Sequence, residues 1–177
     1  MMSTFSITED ETRKAFTLIK IVVLETFVQC FQFKLLNDIL FLNSRLAKIG
    51  IIHTDLCTFC QVSSETVEHF FFQCTYSTDF WTKFENYWLA VTKEQRKLEY
   101  KHIILGILDE KSDLLNYLII LGKLYLWNCR KNSRLPLFSP FEAIVKNKYD
   151  TEKIIASQNN LVFKKVQAKW KPFNNDR

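Results

Sequence analysis

Apolar residues recur at helical spacing along most of the chain. One stripe with spacings of three and four residues consists of Phe80, Trp81, Phe84, Tyr87, Trp88 and Val91. Such a stripe predicts an amphipathic helix with one core-facing side. Residues 114–131 are apolar on most faces and follow a Ser112 or Asp113 cap, which predicts a long central helix. Gly and Pro number only three each, so the chain has few residues suited to the tight turns that connect strands. A mainly α fold is therefore predicted.

The N-terminal third combines helical periodicity with breaks. Thr8 or Asp10 is predicted to cap a first helix that continues through Phe27, although residues 21–23 also suit a strand. Residues 31–42 then follow helical spacing again. We therefore expect two helices before residue 43.

A short helix is predicted next, over residues 45–49. Asn43 or Ser44 is its expected cap. Gly50 occupies the position after a helix where glycine is favoured, because glycine adopts a positive φ without steric cost. A further helix, capped by Ser63 or Ser64, is expected soon afterwards.

Three segments are predicted towards the C-terminus. Residues 102–108 suit either a short helix or a buried extended piece. Ser139 and Pro140 are predicted as the N-cap and first position of a helix that continues to about Ile155 and is broken by Asn159-Asn160. The last segment, 161–173, is amphipathic and places aromatic residues between lysines.

The length and composition predict one globular domain. With 177 residues, of which 47% are apolar, the chain can form a modest core. We divide it into an uncertain N-terminal segment (1–30), a helical hairpin with a cysteine-rich turn (31–91), and a helical C-terminal region with a basic tail (92–177). The apolar run 16–33 is too polar for a membrane span, and acidic residues precede it where a secretory signal carries basic ones. We expect an intracellular protein, in the nucleus or cytoplasm, with no membrane partner.

Charge is distributed unevenly, although the net value is only +5. Residues 1–119 carry 12 Lys+Arg against 15 Asp+Glu, whereas residues 120–177 carry 12 against 4. A basic C-terminal third is a candidate surface for polyanions. The candidate phosphate contacts are Arg130, Lys131, Arg134, Lys164, Lys165 and Lys169. The first three also suit the negative end of a helix dipole, and the last three an ordinary amphipathic helix, so both interpretations stay open.

The most specific chemical signal is the stretch CTFCQVSSETVEHFFFQC at residues 57–74. Cys57, Cys60, His69 and Cys74 follow the spacing C-x2-C-x8-H-x4-C, and three thiolates with one imidazole complete a tetrahedral zinc site. Four protein ligands are typical of structural rather than catalytic zinc. A disulfide between Cys57 and Cys60 is the alternative, but it leaves His69 and Cys74 without a role. We therefore predict one structural zinc in a small Cys3His knuckle.

Residues around this motif are shared with a known family. They are residues 31–40, Asn43, Leu56–Cys60, Glu65, Thr66, His69–Phe71, Cys74, Phe80 and Trp81. On these residues the chain resembles the zinc-binding region that follows the reverse transcriptase domain in LINE-type (non-LTR) retrotransposon proteins. Residues 114–132 and 148–160 also resemble the C-terminal tail of those proteins, so the resemblance extends over about residues 31–170.

The resemblance implies a non-catalytic, nucleic-acid-binding tail. In that family the tail is understood to help hold template RNA or target DNA in target-primed reverse transcription, beside an upstream reverse transcriptase domain. The chain contains no Gly-rich phosphate loop and no adjacent aspartates for a two-metal polymerase site, so we expect no enzyme activity. Two alternatives stay open: a zinc-stapled protein-interaction domain, because the many Phe and Trp residues could form a docking patch, and a non-functional mobile-element remnant.

The distribution of charge predicts where nucleic acid binds. Residues 58–68 contain no Lys or Arg but carry Glu65 and Glu68, so the zinc loop is not expected to contact phosphate. The run Phe70–Phe72 is expected to pack the zinc unit onto neighbouring helices, with base stacking by an exposed member as the alternative. The zinc unit is therefore expected to orient the helices that carry the basic residues.

Overall fold

The computed structural model describes residues 7–23, 25–108, 112–157 and 160–174, without the side chains of residues 160–162 and 174. The helices are α1 (Glu9–Val22), α2 (Thr26–Leu36), α3 (Asn43–Lys48), α4 (Thr75–Thr92), α5 (Tyr100–Leu105), α6 (Asp113–Lys131), α7 (Phe138–Ala156) and α8 (Asn160–Lys169). A π-helical turn (His69–Gln73) precedes α4, and a 3-10 turn (Lys171–Asn174) follows α8. Within the described ranges the extended pairing is limited to an isolated bridge between Leu56 and Ser64. The predicted mainly α fold is confirmed.

The chain forms two compact units. The first is built from residues 1–81 and 98–136, and the second from residues 82–97 and 137–177. The helix α4 therefore begins in the first unit and ends in the second. No helix in the described part of the chain combines the length and the apolar character that crossing a bilayer requires.

Thr8, one of the two predicted caps, is the N-cap of α1 and forms a capping box with Glu11. The Thr8 hydroxyl accepts from the Glu11 amide at 3.2 Å, and the Glu11 carboxylate accepts from the Thr8 amide at 2.7 Å. Glu11 also accepts from Nζ of Lys101 at 2.8 Å, which connects α1 to α5. The bonds from Lys101 and from Thr8 lower the pKa of Glu11 to about 2.

The first predicted helix is wrong in its length. It ends at Val22 instead of continuing through Phe27, and a new helix starts at Thr26. Val23 is extended, with φ of −124°, and its carbonyl accepts from the Gln29 side chain at 2.6 Å. That side-chain bond replaces the helical bond the carbonyl has lost, so the break leaves no orphaned acceptor there.

The second predicted helix is also too long. It ends short of Leu42 because Asp38 takes a positive φ of 51°, a conformation that Asp tolerates better than most residues. The next helix has Leu42 at its N-cap position, so neither Asn43 nor Ser44 is the cap. Gly50 follows this helix with φ of 76°, as predicted.

The helix α6 is the centre of the first unit, as its apolar pattern predicts. It packs against α1, α2 and α5, and Leu118 and Ile119 are completely buried. Gly122 permits the close approach of α4, because a Cβ there would lie 2.9 Å from the Trp81 ring. Trp81 in turn donates its Nε1–H to the carbonyl of Phe71 at 2.7 Å. The middle of α6 therefore supports the segment that precedes α4.

Residues 102–108 combine both predicted conformations. They complete α5 and then extend from Gly106, which has φ of 91°. The Asn116 side chain on α6 accepts from the Ile107 amide at 2.7 Å and donates to its carbonyl at 3.1 Å. A Cβ at Gly106 would lie 2.5 Å from the Leu18 side chain, so glycine is required by both space and conformation.

Lys123 is completely buried on α6. Its Nζ donates to the Ile104 carbonyl at 3.0 Å, and Nε2 of Gln32 donates to the same carbonyl at 2.8 Å. Burial lowers the pKa of Lys123 well below its ordinary value, because the ammonium form loses its hydration. The folded state therefore disfavours the charged lysine.

Replacing Lys123 by Met is expected to stabilise the protein, by at most the ~1–4 kcal/mol found when a buried ion pair gives way to packed apolar residues. The Ile104 carbonyl keeps its bond from Gln32. An unfolded lysine has a pKa of about 10.4. Between the lowered folded value and about 10.4 the unfolded chain binds more protons, so the free energy of unfolding rises with pH there. Met removes this dependence and flattens the pH profile.

Urea unfolding at several pH values measures both effects. Lys131→Met, at an exposed position of the same helix, is the control and is expected to change stability by less than about 0.5 kcal/mol. A Lys123→Met protein that is less stable and keeps the original pH dependence would contradict the prediction.

Aromatic side chains hold the second unit together. The helices α7 and α8 pack against each other, and Trp170 at the end of α8 is completely buried. Its ring centre lies 5.4 Å from that of Tyr149 and 5.1 Å from that of Phe173. Phe84 of α4 contacts Phe141 of α7 at 6.0 Å. The apolar stripe predicted for α4 therefore serves as core.

The predicted start of α7 is wrong by two residues. The helix begins at Phe138, so Ser139 and Pro140 lie within its first turn. Its last residue is Ala156, close to the predicted end. Asn159 lies outside the described residues, and Asn160 begins α8.

Candidate metal centre

Backbone bonds shape the turn that carries the first two cysteines. Leu56 and Ser64 form the antiparallel bridge, and the Cys57 amide donates to the Ser63 carbonyl at 2.8 Å. The Gln61 amide donates back to the Cys57 carbonyl at 2.9 Å, and Gln61 takes a positive φ of 55°. This tight loop is the local conformation that the C-x2-C spacing predicts.

The π-helical turn His69–Gln73 delivers the other two ligands. The Cys74 amide donates to the His69 carbonyl at 2.7 Å, which is the i to i+5 bond of a π-helix. In an α-helix, residues five apart point about 140° away from each other. The wider π turn brings both side chains to the same side. The Thr66 hydroxyl accepts from the His69 amide at 3.1 Å, so Thr66 takes the capping role that was predicted for Ser63 or Ser64.

Side chains of α4 bond the carbonyls that the π turn leaves without helical partners. Ser77 donates to Phe70 at 2.6 Å, Trp81 to Phe71 at 2.7 Å, and Thr78 to Phe72 at 2.9 Å. Unbonded buried carbonyls are destabilising, so these three bonds favour the π conformation over a regular α turn. The start of α4 therefore fixes the segment that carries His69.

The four predicted ligands converge on one point. Their ligand atoms all lie within 4.8 Å of one another. Sγ of Cys57 and Sγ of Cys74 are 3.8 Å apart, and Sγ of Cys60 and Nε2 of His69 are 3.2 Å apart. Tetrahedral zinc with Zn–S bonds of about 2.3 Å requires sulfurs about 3.8 Å apart. The residues fit one structural zinc, and the alternative disulfide is not formed, because both Cys57 and Cys60 are free thiols.

Two of the three cysteine ligands are buried and share a hydrogen bond. Cys57 and Cys74 are completely buried, and His69 is only 9% exposed. The hydrogen bond between the two buried sulfurs raises the pKa of Cys57 and lowers the pKa of Cys74. Zinc binds thiolates, so metal binding releases protons and the zinc affinity falls as the pH decreases.

Aromatic side chains attach the metal centre to the helical core. Phe70 and Phe71 are completely buried. Phe70 contacts Phe59 at 5.1 Å, and Phe71 contacts Phe31 of α2 at 6.4 Å. Phe72 is half-buried. The predicted apolar packing is confirmed for Phe70 and Phe71.

Glu65, one of the two acidic residues of the zinc loop, is completely buried. Its Oε1 accepts from Nε of Arg130 at 2.6 Å and from the Asn43 amide at 3.0 Å, and its Oε2 accepts from the Thr58 amide at 2.6 Å. The Arg130 side chain is 11% exposed and lies over the Trp127 ring at 4.9 Å. The Glu65 network, which consists of Glu65, Arg130, Asn43 and Thr58, joins the zinc loop to α3 and α6.

The sequence interpretation missed this network. Asn43 also donates to the Leu56 carbonyl at 2.7 Å and accepts from Arg130 at 2.8 Å, and Ser44 donates to the Glu65 carbonyl at 2.8 Å. Asn43 and Glu65 both belong to the residues that carry the family resemblance, which was the available signal. No local pattern predicts the pairing, because Arg130 lies 65 positions after Glu65.

The first three predicted phosphate contacts do not lie together on one surface. The guanidinium of Arg130 is held inside the Glu65 network, so the structure does not present it to a phosphate. Lys131 and Arg134 are exposed at the end of α6. Phosphate contact by these two residues stays a prediction, whereas Arg130 is structural.

The other three predicted contacts lie on α8. Lys164 and Lys165 are exposed. Lys169 is half-buried and donates to both carboxylate oxygens of Glu152, at 2.8 and 3.1 Å. Trp170 donates its Nε1–H to the same carboxylate at 2.8 Å. The tail is therefore an amphipathic helix whose tryptophan faces the core and whose first two lysines face solvent.

The segment that contains the metal centre is similar to a known protein family. Residues 3–81 match a family model described as zinc-binding in reverse transcriptase. The match includes all four ligands and, unlike the resemblance predicted from the sequence, also most of the first thirty residues. Searches of curated proteins and of solved structures found no match. The segment 3–81, with its one Cys3His site, is thus similar to an accessory zinc-binding region of reverse transcriptases and not to a catalytic domain.

Proposed function

We propose that this chain is the non-catalytic, nucleic-acid-binding tail of a LINE-type retrotransposon reverse transcriptase. In this role it helps to hold template RNA or target DNA during target-primed reverse transcription, inside the cell and beside an upstream reverse transcriptase domain. The observation that carries the proposal is the match of residues 3–81 to a reverse-transcriptase zinc-binding family around a complete Cys3His site. The nucleic-acid part rests on the exposed basic residues that follow this segment.

The metal centre supports the proposal in a structural role and not as a phosphate-binding site. The exposed residues at the tip of its loop, Gln61, Val62 and Ser63, are uncharged. Its buried carboxylate, Glu65, directs the positive charge of Arg130 inward. The zinc loop therefore orders the helices of the first unit, and phosphate contact falls to exposed lysines elsewhere.

Replacing Lys164 and Lys165 together by Gln is expected to weaken nucleic-acid binding and its salt dependence. Each phosphate contact contributes about 0.7–0.9 to the slope of log K against log salt concentration, so the double variant should lose about 1.4–1.8. A further Lys169→Gln change should lower the slope by less than a full contact, because Glu152 already pairs with Lys169. Fluorescence anisotropy with labelled RNA and DNA over a range of salt concentrations measures these slopes.

The matched control is Lys20→Gln with Lys34→Gln, which removes two exposed lysines from α1 and α2. This variant is expected to keep the original slope. Equal losses in the two double variants would show that only net charge matters and would contradict a site on α8. An absence of binding at low salt would contradict the nucleic-acid function itself.

Exposed aromatic residues favour a protein-interaction domain as the second candidate. Phe27, Phe33 and Phe41 are 64%, 52% and 57% exposed. Large apolar side chains this exposed are typical of interaction sites when they are contiguous. Binding to a reverse transcriptase domain that persists at high salt, together with no binding to nucleic acid, would support this candidate instead.

A further inference from the structure

We infer that the nucleic-acid surface of the second unit binds the phosphate backbone of a double helix and does not take up unstacked bases. The inference rests on the proposed function and specifies the class of nucleic acid that this surface fits. Two features of the unit carry it: its lysines lie outside, and its aromatic rings are packed against one another.

Exposed lysines supply positive charge along both helices of the unit. Lys146 and Lys153 are exposed on α7, on the same face and about 10 Å apart along the axis. Lys164 and Lys165 are exposed on α8, and Lys171 directly after it. An ammonium group acts as a point charge, so these residues fit phosphates and carry no information about bases.

The rings nearest to these lysines are engaged in the core. Trp170 is completely buried, and its Nε1–H is already bonded to Glu152 at 2.8 Å. Tyr149 packs against Trp170 at 5.4 Å and against Phe173 at 6.1 Å. Trp170 and Phe173, two of the aromatic residues that alternate with lysines in the tail sequence, therefore pack against each other at 5.1 Å and against Tyr149.

The remaining rings of the unit continue this packing. Tyr87 contacts Phe138 at 5.7 Å and Phe173 at 6.1 Å, and Phe138 contacts Phe141 at 5.6 Å. Tyr87 is half-buried, and burial raises its pKa to about 12. Phe84, Trp88 and Phe141 are buried and Phe163 is half-buried. The residues of this unit outside the described ranges contain no Phe, Tyr or Trp.

Charge density decides which nucleic acid such a surface prefers. Proteins that bind single strands add stacking to charge, and one stacked base contributes roughly five- to hundredfold in affinity. Without stacking, the density of phosphate charges is the main difference between the two kinds of nucleic acid that this surface can sense. A duplex presents one charge per about 1.7 Å of axis, whereas each of its strands alone presents one per about 3.4 Å. A surface of exposed lysines over packed rings therefore favours the duplex.

The test uses the zinc-loaded full chain and three labelled probes of equal length: duplex DNA, duplex RNA and oligothymidine. At low salt we expect at least one duplex to bind more than about fivefold more tightly than oligothymidine. The slope of log K against log salt concentration should be about 0.9 per phosphate contact for duplex DNA and about 0.7 for the single strand. Phe163→Leu should leave this ratio unchanged, whereas Lys164→Gln with Lys165→Gln should weaken binding to both kinds of probe.

Each other outcome overturns the inference. Oligothymidine that binds within about fivefold of both duplexes, or more tightly, contradicts it while leaving a nucleic-acid-binding function intact. Such a result would direct attention to a cleft of about 220 Å³ lined by Trp88, Thr92, Lys171 and Pro172. A loss of single-strand binding confined to Phe163→Leu also contradicts it. No binding to any probe overturns the proposed function as well.

Discussion

Cys57→Ser is expected to abolish stoichiometric zinc binding and to unfold at least residues 51–75. Structural zinc contributes about 10–16 kcal/mol of apparent binding free energy near neutral pH, whereas a whole domain is stable by only about 5–15 kcal/mol. The loss should extend further, because Phe70 and Phe71 lie in the turn that carries His69 and are packed in the core. Cys74→Ser is expected to behave in the same way.

Elemental analysis and hydrogen exchange measure the two effects. The unchanged protein, purified without chelator, should contain one zinc per chain and protect the amides of residues 51–75 from exchange. Cys30→Ser, at an exposed cysteine outside the cluster, is the matched control and should keep both the zinc and the protection. Zinc-free protein that is nevertheless protected would contradict a structural metal.

The sequence was sufficient for the metal site because the site is local. Its ligands span only residues 57–74, and the C-x2-C spacing forces a tight loop whatever the rest of the fold does. The helices α4 and α6 were also predictable, because their apolar stripes are long and periodic. In each case the signal lies within one stretch of chain.

The features that the sequence did not reveal depend on distant partners. The break after α1 is stabilised by the Gln29 bond to Val23, which periodicity cannot show. The burial of Glu65 could not be read from the zinc loop, because a carboxylate is rarely buried without a partner and its partner Arg130 comes from another helix. Trp170 alternates with lysines in the sequence, and only its contact with Tyr149 places it in the core.

Glu65→Gln is expected to destabilise the protein by about 3–5 kcal/mol, because it leaves the buried guanidinium of Arg130 without a counter-charge. Arg130→Met should cause a similar loss by leaving the carboxylate unpaired. Glu65→Gln should also weaken zinc binding by about 10–100-fold, since Thr58, between the first two ligands, loses a charged acceptor. Arg134→Met, an exposed cation at the same end of α6, is the control, with an expected change below about 0.5 kcal/mol.

The double variant distinguishes an ion pair from two independent contacts. With both charges gone, neither unpaired group remains buried, so the combined loss should be smaller than the sum of the single losses by about 2 kcal/mol or more. Urea unfolding of the four proteins, each saturated with zinc, gives this coupling energy directly. Strictly additive losses would contradict the pairing of Glu65 with Arg130. Because Arg130 extends from α6 and Thr58 lies in the zinc loop, a measured coupling would show that the core helix and the metal centre stabilise each other through this one carboxylate.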